Sequence, residues 1–456
     1  MTRTAYLLER AWVDGAVRDD VLVEIEDGRF ARVEVDGQNR TLSGDISADK
    51  VRDTRATWDP DATRLPGLTL PGIANCHSHA FHRALRGRTQ RERGTFWTWR
   101  EQMYGVAQRL DPESYLALAT ATYREMAAAG ITCVGEFHYL HHQPDGTPYD
   151  EPNAMGEALL EAAATAGLRI ALLDTCYLSP GFGAPAEAAQ LRYFDTDADH
   201  WATRTARLRG NDRSVIGAAI HSVRAVPAEQ LATVAKAAEG SPLHVHLSEQ
   251  PKENADCLAA YGVTPTRLLA DHGVLGPTTT AVHATHLTDD DVRDLGSTGT
   301  HACFCPTTER DLGDGIGPSR ALHDAGSALT LGSDSHAVID PFEEMRAVEM
   351  DERLARQSRG HWTAAELLAA ATATGHRSLG FADAGEIRVG ARADLVTLDT
   401  ATPRTAGTGA DEQTAVFAAT AADVVQTIVE GRVVYTRDDD EQIARDLATA
   451  IERLQP

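Results

Sequence analysis

The chain has 456 residues, 42% of them hydrophobic and 24% charged, with a formal net charge of −24. That length exceeds what one hydrophobic core organises, so one large domain with a smaller companion is expected. The acidic balance argues against nucleic acid or an anionic membrane as a partner, and no run of roughly 18 apolar residues offers a membrane span. The six cysteines are scattered without a CxxC, which fits reduced thiols in a cytoplasmic protein. The opening MTRTAYLLERAWVDG lacks the apolar core of a cleavable leader.

In chain order, residues 1–68 alternate apolar and polar positions between turn signals, as in YLLERAWV and VLVEIEDGRFARVEV, and read as strands. From 69 to 384 the pattern becomes strand, helix, strand, helix. Strand-like runs lie near 68–78, 131–138, 168–177, 214–221, 241–248, 279–286, 300–305 and 327–333. Helices separate them. The clearest is DPESYLALATATYREMAAAG, with Asp111 as N-cap, Pro112 at the first helical position and Gly130 as terminator. VPAEQLATVAKAAEG is another, and TAAELLAAATATGHRSLG near 363–380 stands outside the eight units. Residues 140–160 read as a long surface loop. The final stretch, 385–456, returns to strands in ADLVTLD and VVQTIVEGRVVYTRD. The two strand-rich ends can build one small β domain or cap the chain separately. Eight alternating units over this length predict a (β/α)8 TIM-type barrel; a doubly wound sheet is the other α/β solution, but no GxGxxG follows a strand.

In such a barrel the chemistry sits at the C-terminal ends of the strands. Strand one ends in NCHSH, so His77 and His79, two residues apart, point to one side. Strand five ends in HVHLSE, giving His246 and Glu249; strand six ends at His283 with His286 behind; strand eight ends in GSDSH, giving Asp334. Any one of these is as well a satisfied polar group or a turn. Imidazoles at three strand ends and a carboxylate at a fourth form a donor set suited to Zn2+. The three lysines, Lys50, Lys236 and Lys252, sit where none supplies a bridging ligand, so one metal ion is expected. Glu249, three residues beyond His246, is placed for acid–base work. Arg100 and Arg224 offer guanidinium groups that grip a carboxylate bidentately, although each is equally a surface ion-pair partner by residue type.

The order HxH on strand one, HxxE on strand five, His on strand six and Asp on strand eight resembles the amidohydrolase superfamily, in its mononuclear deaminase branch, over the whole chain. The stretches NCHSHAFHRA, FWTWRE, EFHYLHH, HSVRAV, VHATH, CPTTERDLGDG and GSDSH, in that order, are similar to the formimidoylglutamate deiminases within it. The resemblance implies a barrel at 69–384 and a small β-sandwich domain assembled from 1–68 and 385–456. It implies one Zn2+ per subunit on His77, His79, His246 and Asp334, with His283 beside the nucleophilic water and Glu249, His283 and Asp334 catalytic. The implied reaction is hydrolysis of N-formimino-L-glutamate, a small anionic substrate, to N-formyl-L-glutamate and ammonia, a step of histidine degradation. His82, Arg100, Tyr139, His221 and Arg224 are the implied substrate contacts, and a homodimer is the implied assembly. The chain departs from the pattern at His82, where glutamine is expected after HSHAF, and His141 and His142, near the end of strand two, read as loop residues or as residues supporting the site from behind. The competing expectation is a deaminase of the same branch acting on a heterocycle such as guanine.

Overall fold

The computed structural model describes residues 3–35, 62–90, 93–94, 96–184 and 187–455. At the N-terminus β1 (Arg3–Val13), β2 (Ala16–Glu26) and β3 (Arg29–Val35) form a meander. Its turns are Asp14–Gly15 and Asp27–Gly28, with both residues of each at positive φ, the geometry that two-residue hairpins require. β4 (Thr63–Pro71) lies parallel to β1. Residues 36–61, part of the strand-rich region expected at 1–68, lie outside the described residues, as does Lys50.

The chain then enters the barrel at β5 (Ile73–Ser78) and continues through β6 (Ile131–His138), β7 (Arg169–Cys176) and β8 (Ser214–Ile220). It is completed by β9 (Leu243–Leu247), β10 (Thr279–His283), β11 (His301–Phe304) and β12 (Leu329–Leu331). These eight strands are parallel and neighbour one another in sequence order, with helices in the connections, and so form a (β/α)8 barrel. Closure is made at the segment after β12: Ser78 bridges Asp334, and the N–H groups of Ser333 and Asp334 donate to His77 O at 3.1 and 2.9 Å. Gly332 permits that approach. A Cβ there would lie 2.7 Å from the His77 Cβ and 2.9 Å from its backbone N and O.

Beyond the barrel, β13 (Leu395–Leu398), β14 (Val424–Val429) and β15 (Arg432–Thr436) join the first four strands. The resulting second sheet has seven strands in the order β15-β14-β13-β4-β1-β2-β3. Its own apolar cluster includes Leu8, Val21, Val23, Phe30, Leu395 and Ile428. The two sheets are tied by a buried ion pair: Arg169, at the start of β7, donates to Asp394, which also accepts the Glu430 N–H.

Helix α1 (Phe96–Ala107) precedes α2 (Pro112–Ala128), which Asp111 caps as expected, with Gly130 in the left-handed region behind it. Two expectations are corrected. The single strand at 68–78 is two strands that part at Gly72, because β4 pairs with β1 and β13 of the second sheet. The loop expected at 140–160 is not wholly a surface loop. Leu140, His141 and His142 are buried, and α3 (Ala154–Ala166) begins inside the stretch.

Candidate active site

His77 and His79 leave β5 on one side, as the strand period requires. The intervening Ser78 turns away, and its Oγ donates to Glu136 Oε2 at 2.6 Å. His77, His79, His246 and Asp334 converge at the C-terminal mouth and are all buried. His77 Nε2 and His246 Nε2 are 3.1 Å apart; Asp334 Oδ1 is 3.4 Å from His77 Nε2 and 3.3 Å from His79 Nε2. The outer nitrogens fix the ring orientation: His79 Nδ1–H donates to Phe137 O and His246 Nδ1–H to His221 O, both at 2.8 Å. Their Nε2 lone pairs therefore face the cluster, the arrangement that outer hydrogen bonds impose on ligating histidines. Burial lowers the pKa of His77, and brings His79 down to about 3. Burial alone would raise Asp334, but His77, His283 and His79 hold it well below the usual carboxylate range. Neutral imidazoles crowding an ionised carboxylate, with two ring nitrogens in near contact, fit a divalent cation with nitrogen and oxygen preference.

Other residues converge on the same centre. His283, at the end of β10, has Nε2 3.8 Å from both Glu249 Oε1 and Asp334 Oδ2. Burial works against its charge, yet Glu249, Glu309 and Asp334 raise its pKa well above the ordinary histidine value. Glu249 is raised by burial, with Asp334 adding and His283 and Arg224 opposing. Ser248, His283, Ala284, Asp334 and His336 hold positive φ without being glycine. Such strain gathers where surrounding contacts over-determine the backbone.

A cleft opens over this centre. The remaining expected residues line it: His82, Arg100, Tyr139, His221 and Arg224. His82 Nε2 and Tyr139 Oη are 2.9 Å apart, and the His82 ring packs on that of His79, with centroids 4.6 Å apart. Arg224 Nε–H donates to Glu253 Oε2 at 2.7 Å, and Glu253 Oε1 accepts the Ser248 N–H at 2.9 Å. Arg100 lies on α1, its guanidinium over the Tyr104 ring. Lys252 pairs with Asp256 on the surface, away from the centre.

The sequence reading missed part of the wall. Tyr104, Tyr177 and Tyr193 join Trp99 and Tyr139 in the cleft, and Glu309 meets His283 from behind. Glu309 stood in the quoted CPTTERDLGDG; the tyrosines carried no strand-end signal. A second buried trio, His138, His141 and Asp174, also offers ligand atoms. There Arg204 donates to both Asp174 oxygens at 2.9 and 2.8 Å, with Trp201 and Thr205 adding donors. That carboxylate is already neutralised, which disfavours a cation beside it.

Residues 68–434 match the amidohydrolase family. The chain is 37% identical over 380 residues to the formimidoylglutamate deiminase of Pseudomonas aeruginosa, covering 80% of this chain and 84% of that protein. It is 28% identical over 372 residues to the 5-methylthioadenosine/S-adenosylhomocysteine deaminase of Pelotomaculum thermopropionicum, covering 80% of each. The crystal structure of an amidohydrolase from Brucella melitensis superposes with a TM-score of 0.86 at 31% identity over 99% of both chains.

Proposed function

The chain belongs to the amidohydrolase family, and on that premise we propose that it hydrolyses N-formimino-L-glutamate to N-formyl-L-glutamate and ammonia with one zinc ion per subunit. Its chemistry as a hydrolase of C–N bonds follows from the family and from its 37% identical deiminase relative. The observation that carries the substrate is the presence of Arg100 and Arg224 in the same cleft as the histidine–Asp334 cluster. Two guanidinium groups suit a glutamate moiety with two carboxylates. Histidine degradation by a cytoplasmic homodimer, with no nucleic-acid or membrane partner, belongs to the same reading. Among the described residues no helix is long and apolar enough to cross a membrane.

In this reading His77, His79, His246 and Asp334 hold the ion. Zinc, when bound, supplies Lewis acidity and acidifies water towards a pKa of about 7. Asp334 Oδ2 receives a proton from the attacking water, and His283 Nε2, 3.8 Å away, orients that water. Glu249 enters as an acid, which its raised pKa favours, and protonates the imino nitrogen. Water adds to the sp² carbon, the C–N bond breaks, and a proton relayed by Glu249 leaves with ammonia. Arg224 and Arg100 bind the carboxylates, while His82, Tyr139 and His221 add hydrogen bonds.

The aromatic wall favours a second reading. Trp99 and four tyrosines would stack on a flat base, and the 28% identical relatives are named for adenosine derivatives. Comparing kcat/KM for N-formimino-L-glutamate and 5′-methylthioadenosine decides between them: a preference for the glutamate derivative supports the proposal, and a preference for the nucleoside replaces it.

A further inference from the structure

His283 is pinned through its backbone. It and Ala284 adopt φ of 70° and 47°; the Ala284 N–H donates to Leu247 O and the His286 N–H to Ser248 O, each at 3.0 Å. With the peptide fixed, what remains free is the rotation of the ring and the place of its proton. Glu309 faces the ring at Nδ1. It projects from the short helix α4 (Pro306–Leu312) after β11 and is buried. Its Oε1 lies 3.3 Å from His283 Nδ1 and accepts the Cys305 N–H at 2.9 Å. The backbone donor aims that oxygen, and the oxygen in turn requires a proton on Nδ1. The far nitrogen, Nε2, is then turned towards Glu249 and Asp334.

We propose that Glu309 is a positioning residue for the reaction, keeping His283 protonated on Nδ1 and its Nε2 directed at Glu249 and Asp334. The proposal rests on the deaminase reading above for its kinetic consequence, but not for the state of the ring. A carboxylate behind a working imidazole fixes its tautomer and orientation, and loss of such outer partners costs about 10- to 100-fold. A Glu309 that merely anchored the Cys305 N–H would stabilise the loop and leave the imidazole unaffected.

The test joins ¹⁵N-histidine NMR of the zinc-loaded protein with a double-mutant cycle. In the wild type one Nδ1–H resonance, absent in His283→Asn, is expected to persist; in Glu309→Ala that resonance is lost. Glu309→Ala is expected to lower kcat about 10- to 100-fold with KM within about twofold, and to cost less than about twofold in the His283→Asn background. Glu309→Asp, which keeps the carboxylate but shortens its reach, is expected to show the same pattern more weakly and serves if the alanine variant does not fold. An unchanged His283 resonance, or an equal loss of kcat in both backgrounds, overturns the proposal. The kinetic arm uses whichever of N-formimino-L-glutamate and 5′-methylthioadenosine is turned over. A wrong substrate therefore appears as a failed assay with the NMR result still decisive.

Discussion

Replacing Arg224 with lysine probes how the proposed substrate is recognised. Arg224 Nε is held by Glu253 at 2.7 Å, which leaves the outer guanidinium nitrogens for a ligand in the cleft. Glu253 is itself buried and takes the Ser248 N–H next to Glu249. Deleting the charge would leave that carboxylate unpaired, at a cost of about 3–5 kcal/mol, and confuse folding with binding. Lysine keeps a charge opposite Glu253 and removes the bidentate fork. A hydrogen bond to a charged group contributes about 1.5–3 kcal/mol, so its loss corresponds to a KM increase of about 10- to 150-fold. In the proposed reading Arg224 takes the side-chain carboxylate, remote from the reacting carbon, so kcat should change little. Initial rates of ammonia release would be compared for N-formimino-L-glutamate and for N-formiminoglycine, which lacks the side-chain carboxylate. The expected result is a large KM rise for the dicarboxylate and a small one for the glycine derivative. A KM within twofold of wild type, or an equal rise for both compounds, would show that Arg224 does not bind the side-chain carboxylate.

Three further outcomes follow from the same geometry. Glu249→Gln should lower kcat by about 10²- to 10⁴-fold with zinc content unchanged by elemental analysis; near-normal kcat would remove Glu249 as the proton carrier. Gly332→Ala places a Cβ against the His77 backbone and should cost about 1–3 kcal/mol in urea unfolding, whereas an unchanged midpoint would show that the closure can widen freely. Burial opposes ionisation of Asp174, but Arg204, with His141 and His138, brings its pKa from 3.8 down to about 2. Its stabilisation is therefore complete above pH 4 and lost as pH falls through 2. Asp174→Asn should be less stable than wild type by about 3 kcal/mol at pH 7, with the gap closing towards pH 2; a gap independent of pH contradicts this.

The barrel was legible because its strands are buried on both faces and repeat eight times, and the histidine centre because strand ends and site coincide in this architecture. His77 and His79 carry their shared direction in their spacing alone. The aromatic wall was not legible. Tyr104 comes from α1, Tyr177 follows β7, and Tyr193 ends a 3-10 turn, so no single periodicity brings them together. Glu309 was hidden differently, since a glutamate in the first turns of a short helix reads as an ordinary helix-start residue. Gly72 carried a signal that the apolar run masked. Residues 68–71 and Ile73–Ser78 are equally buried, and only pairing partners distant in sequence assign them to different sheets.

Zinc-dependent hydrolysis is tested most directly by ammonia release from N-formimino-L-glutamate by purified protein, measured as isolated, after chelation, and after adding back one equivalent of Zn2+. Turnover should disappear on chelation and return with the metal. Fully metallated protein that leaves N-formimino-L-glutamate intact, or turnover that survives complete removal of the metal, would contradict zinc-dependent hydrolysis of this compound.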